Sequence, residues 1–257
     1  MNKSEKKIYF LFILISLIFL ILTTNYLTLS GIINDANQMD VISYSEIAEK
    51  APLFNNQSDI IIKHVAQRFL IPYTVGSLAK LLNIDFYLMF KIFTFGFIFF
   101  YIGIIKFICE KLNFNLKTSI LFFSILFFNP YLIRYHIFNP VQAHDMMFFC
   151  LGLIFAVTLI YKNYISNLIA TVFSVYLRQT SIAFLIGSIL FFLINRKLNL
   201  LFILIILFFS SFLLIINIGN YISIHNFPIK LAYGIIFYDF SQLEKLIKFL
   251  LLGAMPF

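Results

Sequence analysis

The chain of 257 residues has no tryptophan, only two cysteines, and charged side chains at only 12% of its positions. The two cysteines, Cys109 and Cys150, lie in different apolar segments, so we expect no disulfide framework. The charged fraction is well below that of a typical soluble domain. These shortages argue against both a small secreted scaffold and an ordinary soluble enzyme.

Motifs for soluble nucleotide or hydrolytic chemistry are also missing. The sequence has no glycine-rich phosphate loop, no CxxC pair, no HExxH and no GxSxG. The net charge of +8 does not indicate a nucleic-acid partner, because the basic residues stand singly or in pairs at the ends of apolar runs. That placement is typical of the positive-inside rule for membrane proteins.

Long apolar runs are what the sequence has instead, with 61% hydrophobic residues. Runs of about 20 apolar residues predict membrane-spanning helices. We therefore expect an all-α, polytopic transmembrane bundle of about 7–9 membrane helices, forming a single integral membrane domain over residues 1–257. The predicted spans are Ile8–Leu27, Phe86–Cys109, Thr118–Ile137, Val141–Tyr161, Tyr164–Leu177, Ser181–Ile194, Leu198–Ile218 and a weaker segment at about 229–252.

Some of these segments carry further expectations. The two short spans on either side of Arg178 form either one bent element or a pair that dips in and returns. Gly96 and Gly103 are seven residues apart on one helix face, which predicts close helix packing there. The chain ends in "LLGAMPF" directly after an apolar run, which indicates a truncated sequence.

A polar region separates the first two predicted spans, and residues 28–85 are expected to form an extracytoplasmic loop with surface helices. In "DVISYSEIAEKAP", apolar residues recur at helical spacing, and Pro52 ends the pattern.

The orientation of the chain in the membrane follows from the positions of its basic residues. If residues 64–82 spanned the membrane, Lys106, Lys111 and Lys117 would lie outside, against the positive-inside rule. We therefore expect residues 64–82 at the outer surface, with Pro72 starting a second helix and the N-terminus in the cytoplasm.

This orientation gathers ionisable side chains at the outer membrane face, which is by default a functional-site hypothesis. The gathered residues are Asp40, Glu46, His64, Arg68, Arg134, His136, His144, Asp145 and Arg178.

Two segments carry the strongest candidates. His64 and Arg68 share a helix face and are expected to bind an anionic group such as a phosphate; the alternative is a polar face turned to lipid headgroups. Asp40 is the candidate general base or divalent-cation ligand, and its alternative role is a helix N-cap. Glu46 is a weaker, accessory candidate.

The remaining candidates lie near helix ends or breaks. Arg134 and Arg178 are expected to contact a lipid phosphate, with headgroup snorkelling as the alternative for Arg178. His144 and Asp145 are possible accessory residues, although neighbours on a helix point to different sides, which is not a metal-ligand spacing. Asp145 would also be stabilised by the helix dipole at the start of its helix.

The order of elements, together with "NQMDVISYSEIA" and "AQRFLIPYTVGSLAKLL", resembles the GT-C class of membrane glycosyltransferases. The resemblance implies a polyprenyl-phosphate-linked sugar as donor, Asp40 as the catalytic carboxylate acting on the acceptor, and Arg68 and Arg178 as contacts to the lipid phosphate. It implies a multi-pass protein of the cell envelope, which we expect in a bacterial inner (plasma) membrane. Two alternatives stay open: a transporter or flippase for a lipid or small solute, and a non-catalytic membrane subunit.

Overall fold

The computed structural model describes residues 3–24, 35–53 and 58–223, and these residues are predominantly helical. A single parallel bridge joins Ser58 to Ser223, and the described residues form no β-strand. The helices are α1 (Lys3–Thr24), α2 (Asp35–Lys50), α3 (Lys63–Ala66), α4 (Leu70–Leu82), α5 (Phe86–Lys111), α6 (Leu116–Phe127), α7 (Tyr135–Phe138), α8 (Ala143–Ile160), α9 (Tyr164–Ser174), α10 (Ile182–Ile194) and α11 (Leu198–Ile222).

Four of the helical segments are long and apolar enough to cross a membrane: Ser4–Thr24, Phe86–Lys111, Pro140–Ile160 and Leu198–Ile222. Their apolar side chains are widely exposed, as at Phe202, which is 65% exposed. Exposed apolar surface of this extent is unusual for a soluble monomer but normal against lipid. The described chain is therefore consistent with an integral membrane protein.

The predicted span Thr118–Ile137 is broken. Helix α6 ends at Phe127, and a second helical piece, Leu132–Phe138, is bent from it by 45°. The break contains the π-helical turn Pro130–Arg134, and proline lacks the N–H that would continue the helical hydrogen bonds. Counted as one span, this bent pair raises the number of candidate spans from four to five.

Helices α9 and α10 are too short to span, with 11 and 13 residues, or about 17 and 20 Å against an apolar core of about 30 Å. They form an antiparallel hairpin. The Tyr164 hydroxyl donates to Asn195 Oδ1 at 3.3 Å near its base, and the hydroxyls of Thr171 and Ser188 lie 2.6 Å apart within it. Because the two helices run antiparallel, the pair is a hairpin and not one bent element.

The expected 7–9 membrane helices are thus not confirmed. Helices α9 and α10 fall short of the length of a full span, and the weak segment at about 229–252 lies outside the described residues. Helix α4, with 13 residues, is also too short to cross, in agreement with the prediction that residues 64–82 do not span.

Helix α2 has the predicted amphipathic pattern, since Tyr44, Ile47 and Ala48 are buried. It packs so closely on α4 that a Cβ at Gly76 would lie 1.9 Å from the Ala48 carbonyl oxygen. This is the close approach that the sequence analysis assigned to Gly96 and Gly103. That prediction is wrong, because a Cβ at either position would meet nothing within 4 Å among the described residues.

The ends of the helices define two opposite faces of the bundle. On one, called the basic face, Lys6 Nζ lies 3.9 Å from Glu110 Oε1 and thereby joins the start of α1 to the end of α5. Thr94 contacts Pro140 and Phe97 contacts Cys150, so α8 runs in the same direction as α5. The connections at 161–163 and 195–197, which the bond from Tyr164 to Asn195 brings together, therefore lie on the same face. The opposite side, called the α2 face, holds α2, α3, α4, the start of α8, the tip of the α9–α10 hairpin and the end of α11.

Candidate functional site

Asp40 and His64 contact each other at the α2 face, with 3.4 Å between Asp40 Oδ1 and His64 Nε2. The side chains are 25% and 39% exposed, so the carboxylate is within reach of a solute. The alternative that Asp40 caps a helix is wrong, because α2 begins at Asp35 and Asp40 lies in its second turn.

Arg68, just beyond the end of α3, is held by two neutral partners. Its Nη1 donates to the Tyr44 hydroxyl at 3.1 Å, and its Nε donates to Gln179 Oε1 at 2.9 Å. Burial raises the pKa of Tyr44, so the phenol stays protonated. Burial alone would lower the pKa of Arg68, but the nearby Tyr44, Asp145 and Asp40 raise it above its ordinary value.

Gln179, at the tip of the α9–α10 hairpin, joins that tip to α3. Its Nε2 donates to the His64 carbonyl oxygen at 2.7 Å and to Gln67 Oε1 at 3.0 Å. Between the two short predicted spans, the sequence pointed only to Arg178. An uncharged amide at a helix break gives no signal in composition or charge, so this residue was missed.

Arg178, beside Gln179, is paired with the start of α8. Its Nε lies 3.1 Å from Asp145 Oδ1, and its guanidinium lies 6.0 Å from the centre of the Phe148 ring. The contact with Asp145 is an ion pair without hydrogen-bond geometry. The Arg178 side chain is 32% exposed and that of Asp145 only 12%, so the arginine keeps an open side.

His144 is fully buried between α2 and Asp145. Its ring lies 4.4 Å from the Tyr44 ring, centre to centre, and its Nε2 lies 3.3 Å from Asp145 Oδ1. The expectation that the adjacent His144 and Asp145 diverge is therefore wrong, because the first turn of α8 brings the imidazole edge back to the carboxylate. Neither ring nitrogen of His144 has a hydrogen-bond partner among the described residues.

These contacts form one continuous group, which we call the polar cluster. It consists of Asp40, Tyr44, His64, Arg68, His144, Asp145, Arg178 and Gln179.

The other predicted site residues lie around this cluster. Arg134 donates from Nη2 to the Thr23 carbonyl oxygen at 3.4 Å, at the end of α1. Glu46 points to the next turn of its own helix, where Lys50 Nζ lies 2.8 Å away. His136 is buried, with its ring 6.1 Å from that of Phe149. Among residues 3–24, 35–53 and 58–223 there is no group of three or more His, Cys, Asp or Glu side chains suited to a metal ion.

An open apolar groove runs along α11 toward the same face. It has a volume of about 570 Å³ and is lined by Ser210, Leu213, Leu214, Asn217, Ile218 and Tyr221. Tyr176, two residues before Arg178, donates to the Ser211 hydroxyl at 3.1 Å, so the segment after α9 contacts the helix that carries the groove. The end of α11 meets the α3 region, where the Ser223 hydroxyl donates to the Ile61 carbonyl oxygen at 2.5 Å.

The polar cluster thus combines one accessible carboxylate with two arginines that are each partly exposed. Comparison of the chain with protein-family models, with curated proteins and with solved structures finds no match.

Proposed function

We propose that the chain is a membrane glycosyltransferase that moves a sugar from a polyprenyl-phosphate carrier to an acceptor at the outer membrane face. The single observation that carries this proposal is the convergence of Asp40, Arg68 and Arg178 in one polar cluster. These three residues come from α2, from the end of α3 and from the hairpin tip, so only the fold brings them together.

Asp40 acts as general base in this reaction. The acceptor hydroxyl attacks the anomeric carbon while the bond from that carbon to the phosphate oxygen breaks, and Asp40 takes the hydroxyl proton. A partly exposed carboxylate suits this role, because the acceptor must reach it. His64 contacts the Oδ1 atom of this carboxylate at 3.4 Å.

Arg68 and Arg178 stabilise the departing polyprenyl phosphate, on which negative charge builds up as the bond breaks. Guanidinium groups bind phosphate oxygens in pairs of parallel hydrogen bonds. The α11 groove supplies an apolar surface for the isoprenoid chain, on the helix that Tyr176 contacts.

The outer location rests on charge. The basic face carries Lys6, Lys7, Lys106, Lys111, Lys117, Lys162, Arg196 and Lys197. By the positive-inside rule this face is cytoplasmic, so the N-terminus is cytoplasmic and the polar cluster is extracytoplasmic. On the extracytoplasmic side of a bacterial inner membrane, the polar cluster would have access to the lipid-linked sugars that are used there.

A transporter or flippase is the second candidate, and the hairpin favours it, because broken helices surround the substrate in many transporters. However, transporter sites usually lie near the bilayer midplane. Here Arg178 and Gln179 lie at the hairpin tip, level with the surface helix α3. This depth supports transfer over transport.

Membranes carrying the wild-type chain, Asp40→Asn or Glu49→Gln test the proposal. Each receives polyprenyl-phosphate sugar with the label in the sugar, and the release of label from lipid to acceptor is measured. We expect loss of transfer by 100-fold or so in Asp40→Asn. Glu49, exposed on the same helix, is the matched control and should retain full activity.

The same assay separates the alternatives. Label that changes leaflet while still bound to the lipid identifies a flippase. Equal surface glycan in the wild-type and Asp40→Asn strains identifies a non-catalytic subunit.

A further inference from the structure

Gln179 makes three hydrogen bonds with one side-chain amide, and all three connect it to the segment 64–68. We propose that Gln179 is a positioning residue, which aims the Arg68 guanidinium at the substrate phosphate while leaving its charge uncompensated. This proposal rests on the function proposed above.

The first step is geometric. Two of the three guanidinium nitrogens of Arg68 are fixed, Nε by Gln179 and Nη1 by the Tyr44 hydroxyl. The third, Nη2, has no partner in the part of the chain that the structure describes. A planar group held at two points cannot rotate, so its remaining N–H bonds have one direction in which to meet an anion.

The second step concerns charge. Arg178 is paired directly with the Asp145 carboxylate, whereas both direct partners of Arg68 are neutral. Asp40 and Asp145 act on Arg68 only through space. Arg68 is therefore the cation of the polar cluster whose charge is least compensated, and a phosphate gains most from meeting it.

The third step is the demand for glutamine at position 179. Its Oε1 accepts from Arg68, and its Nε2 donates to the His64 carbonyl oxygen and to Gln67 Oε1. Only a neutral amide both accepts and donates in this way. A glutamate would accept from Arg68 but could not donate to His64, and it would neutralise the arginine. A methionine would preserve the shape and remove all three bonds.

A purely structural role would hold the hairpin tip against α3 without any effect on charge selectivity. The measurement therefore compares two ligands that differ only in the terminal phosphate group: a polyprenyl monophosphate and the neutral polyprenol of equal chain length. Equilibrium binding of both is measured on the purified full chain in lipid nanodiscs, together with its melting temperature. The variants are Gln179→Glu, Gln179→Met and, as matched control on the same tip, the exposed Thr180→Ala.

We expect the wild-type chain and Thr180→Ala to prefer the phosphate over the polyprenol to the same degree. Gln179→Glu should reduce that preference by about tenfold or more, since a charge-assisted contact is neutralised. Gln179→Met should reduce it less, because Arg68 keeps its charge and loses only its orientation. Binding of the polyprenol should be unchanged in both variants.

Two results would overturn the inference and leave the proposed function standing. In the first, both Gln179 variants prefer the phosphate as strongly as Thr180→Ala does. In the second, both variants lose affinity for the two ligands equally, in step with a lower melting temperature. A wild-type chain without any phosphate preference would instead defeat the proposed function, and the inference with it.

Discussion

Asp145 Oδ1 lies 3.1 Å from Arg178 Nε, and this ion pair joins the first turn of α8 to the tip of the α9–α10 hairpin. The carboxylate is almost buried, while the arginine keeps about a third of its side chain exposed. The pair therefore stabilises the tip and leaves one side of Arg178 open to a ligand.

Replacing only one partner of this ion pair should lower the stability of the protein. We expect Arg178→Met or Asp145→Asn to lower the free energy of unfolding by about 3 kcal/mol, the low end for a buried pair, because Arg178 is partly exposed. The double variant should lose clearly less than the sum of the two single losses. Thermal unfolding in detergent measures all three, and additive losses would show that the two side chains do not interact.

The contact between α2 and α4 predicts a sharp difference between two glycines. Gly76→Ala would place a Cβ 1.9 Å from the Ala48 carbonyl oxygen, so α2 must shift, at about 1–3 kcal/mol. Gly96→Ala meets no atom within 4 Å among the described residues and should be neutral or slightly stabilising. Melting temperatures compare the two, and equal effects would mean that α2 does not pack on α4 in this way.

Buried hydrogen bonds hold the hairpin to α8. Asn167 donates to the Thr158 hydroxyl at 3.0 Å and accepts from Ser188 at 2.7 Å. Asn167→Ala should cost about 1–2 kcal/mol, in line with interhelical hydrogen bonds in membranes. Ser77→Ala removes a buried hydroxyl that has no hydrogen-bond partner among the described residues, and it should cost nothing. A stability loss at Ser77 as large as that at Asn167 would contradict this assignment.

Phosphate binding should not depend on pH through Tyr44 and Arg68 between about pH 7 and 9.5. Burial raises the pKa of Tyr44, and the pKa of Arg68 is also raised, so both groups keep their protons below the ordinary tyrosine value near 10. A phenolate would form only at higher pH, where it would neutralise Arg68 and weaken both binding and folding. Binding of polyprenyl monophosphate against pH, in wild type and Tyr44→Phe, checks this. An alkaline loss below pH 9.5 that Tyr44→Phe abolishes would be inconsistent with a buried neutral phenol.

Part of the fold and of the site could be predicted from the sequence, because the free-energy cost of placing a charged side chain in lipid restricts where such residues occur. Asp40, His64, Arg68 and Arg178 were predicted to gather at one face, and contacts now join them into the polar cluster. The reason is general: ionisable side chains accumulate at the ends and breaks of apolar helices, where water or a partner is available.

What the sequence did not reveal depends on tertiary contacts. Apolar runs of 11 to 13 residues resemble spans by composition, and only the packing of α9 on α10 shows that they form a hairpin. Tyr44 and Gln179 hold Arg68 through neutral groups, which leave no mark on a charge pattern. The role of Gly76 was also missed, since its neighbour Ala48 lies on another helix.

The proposed function depends on the side of the membrane on which the polar cluster lies, and cysteine labelling measures this directly. In intact cells, Thr180→Cys at the hairpin tip and Lys162→Cys on the basic face are treated with a membrane-impermeant maleimide; both positions are exposed, whereas the native Cys109 and Cys150 are buried. The account predicts that Cys at position 180 reacts from outside and that Cys at position 162 reacts only after permeabilisation. The opposite pattern would place the polar cluster in the cytoplasm and contradict the proposed transfer at the outer face.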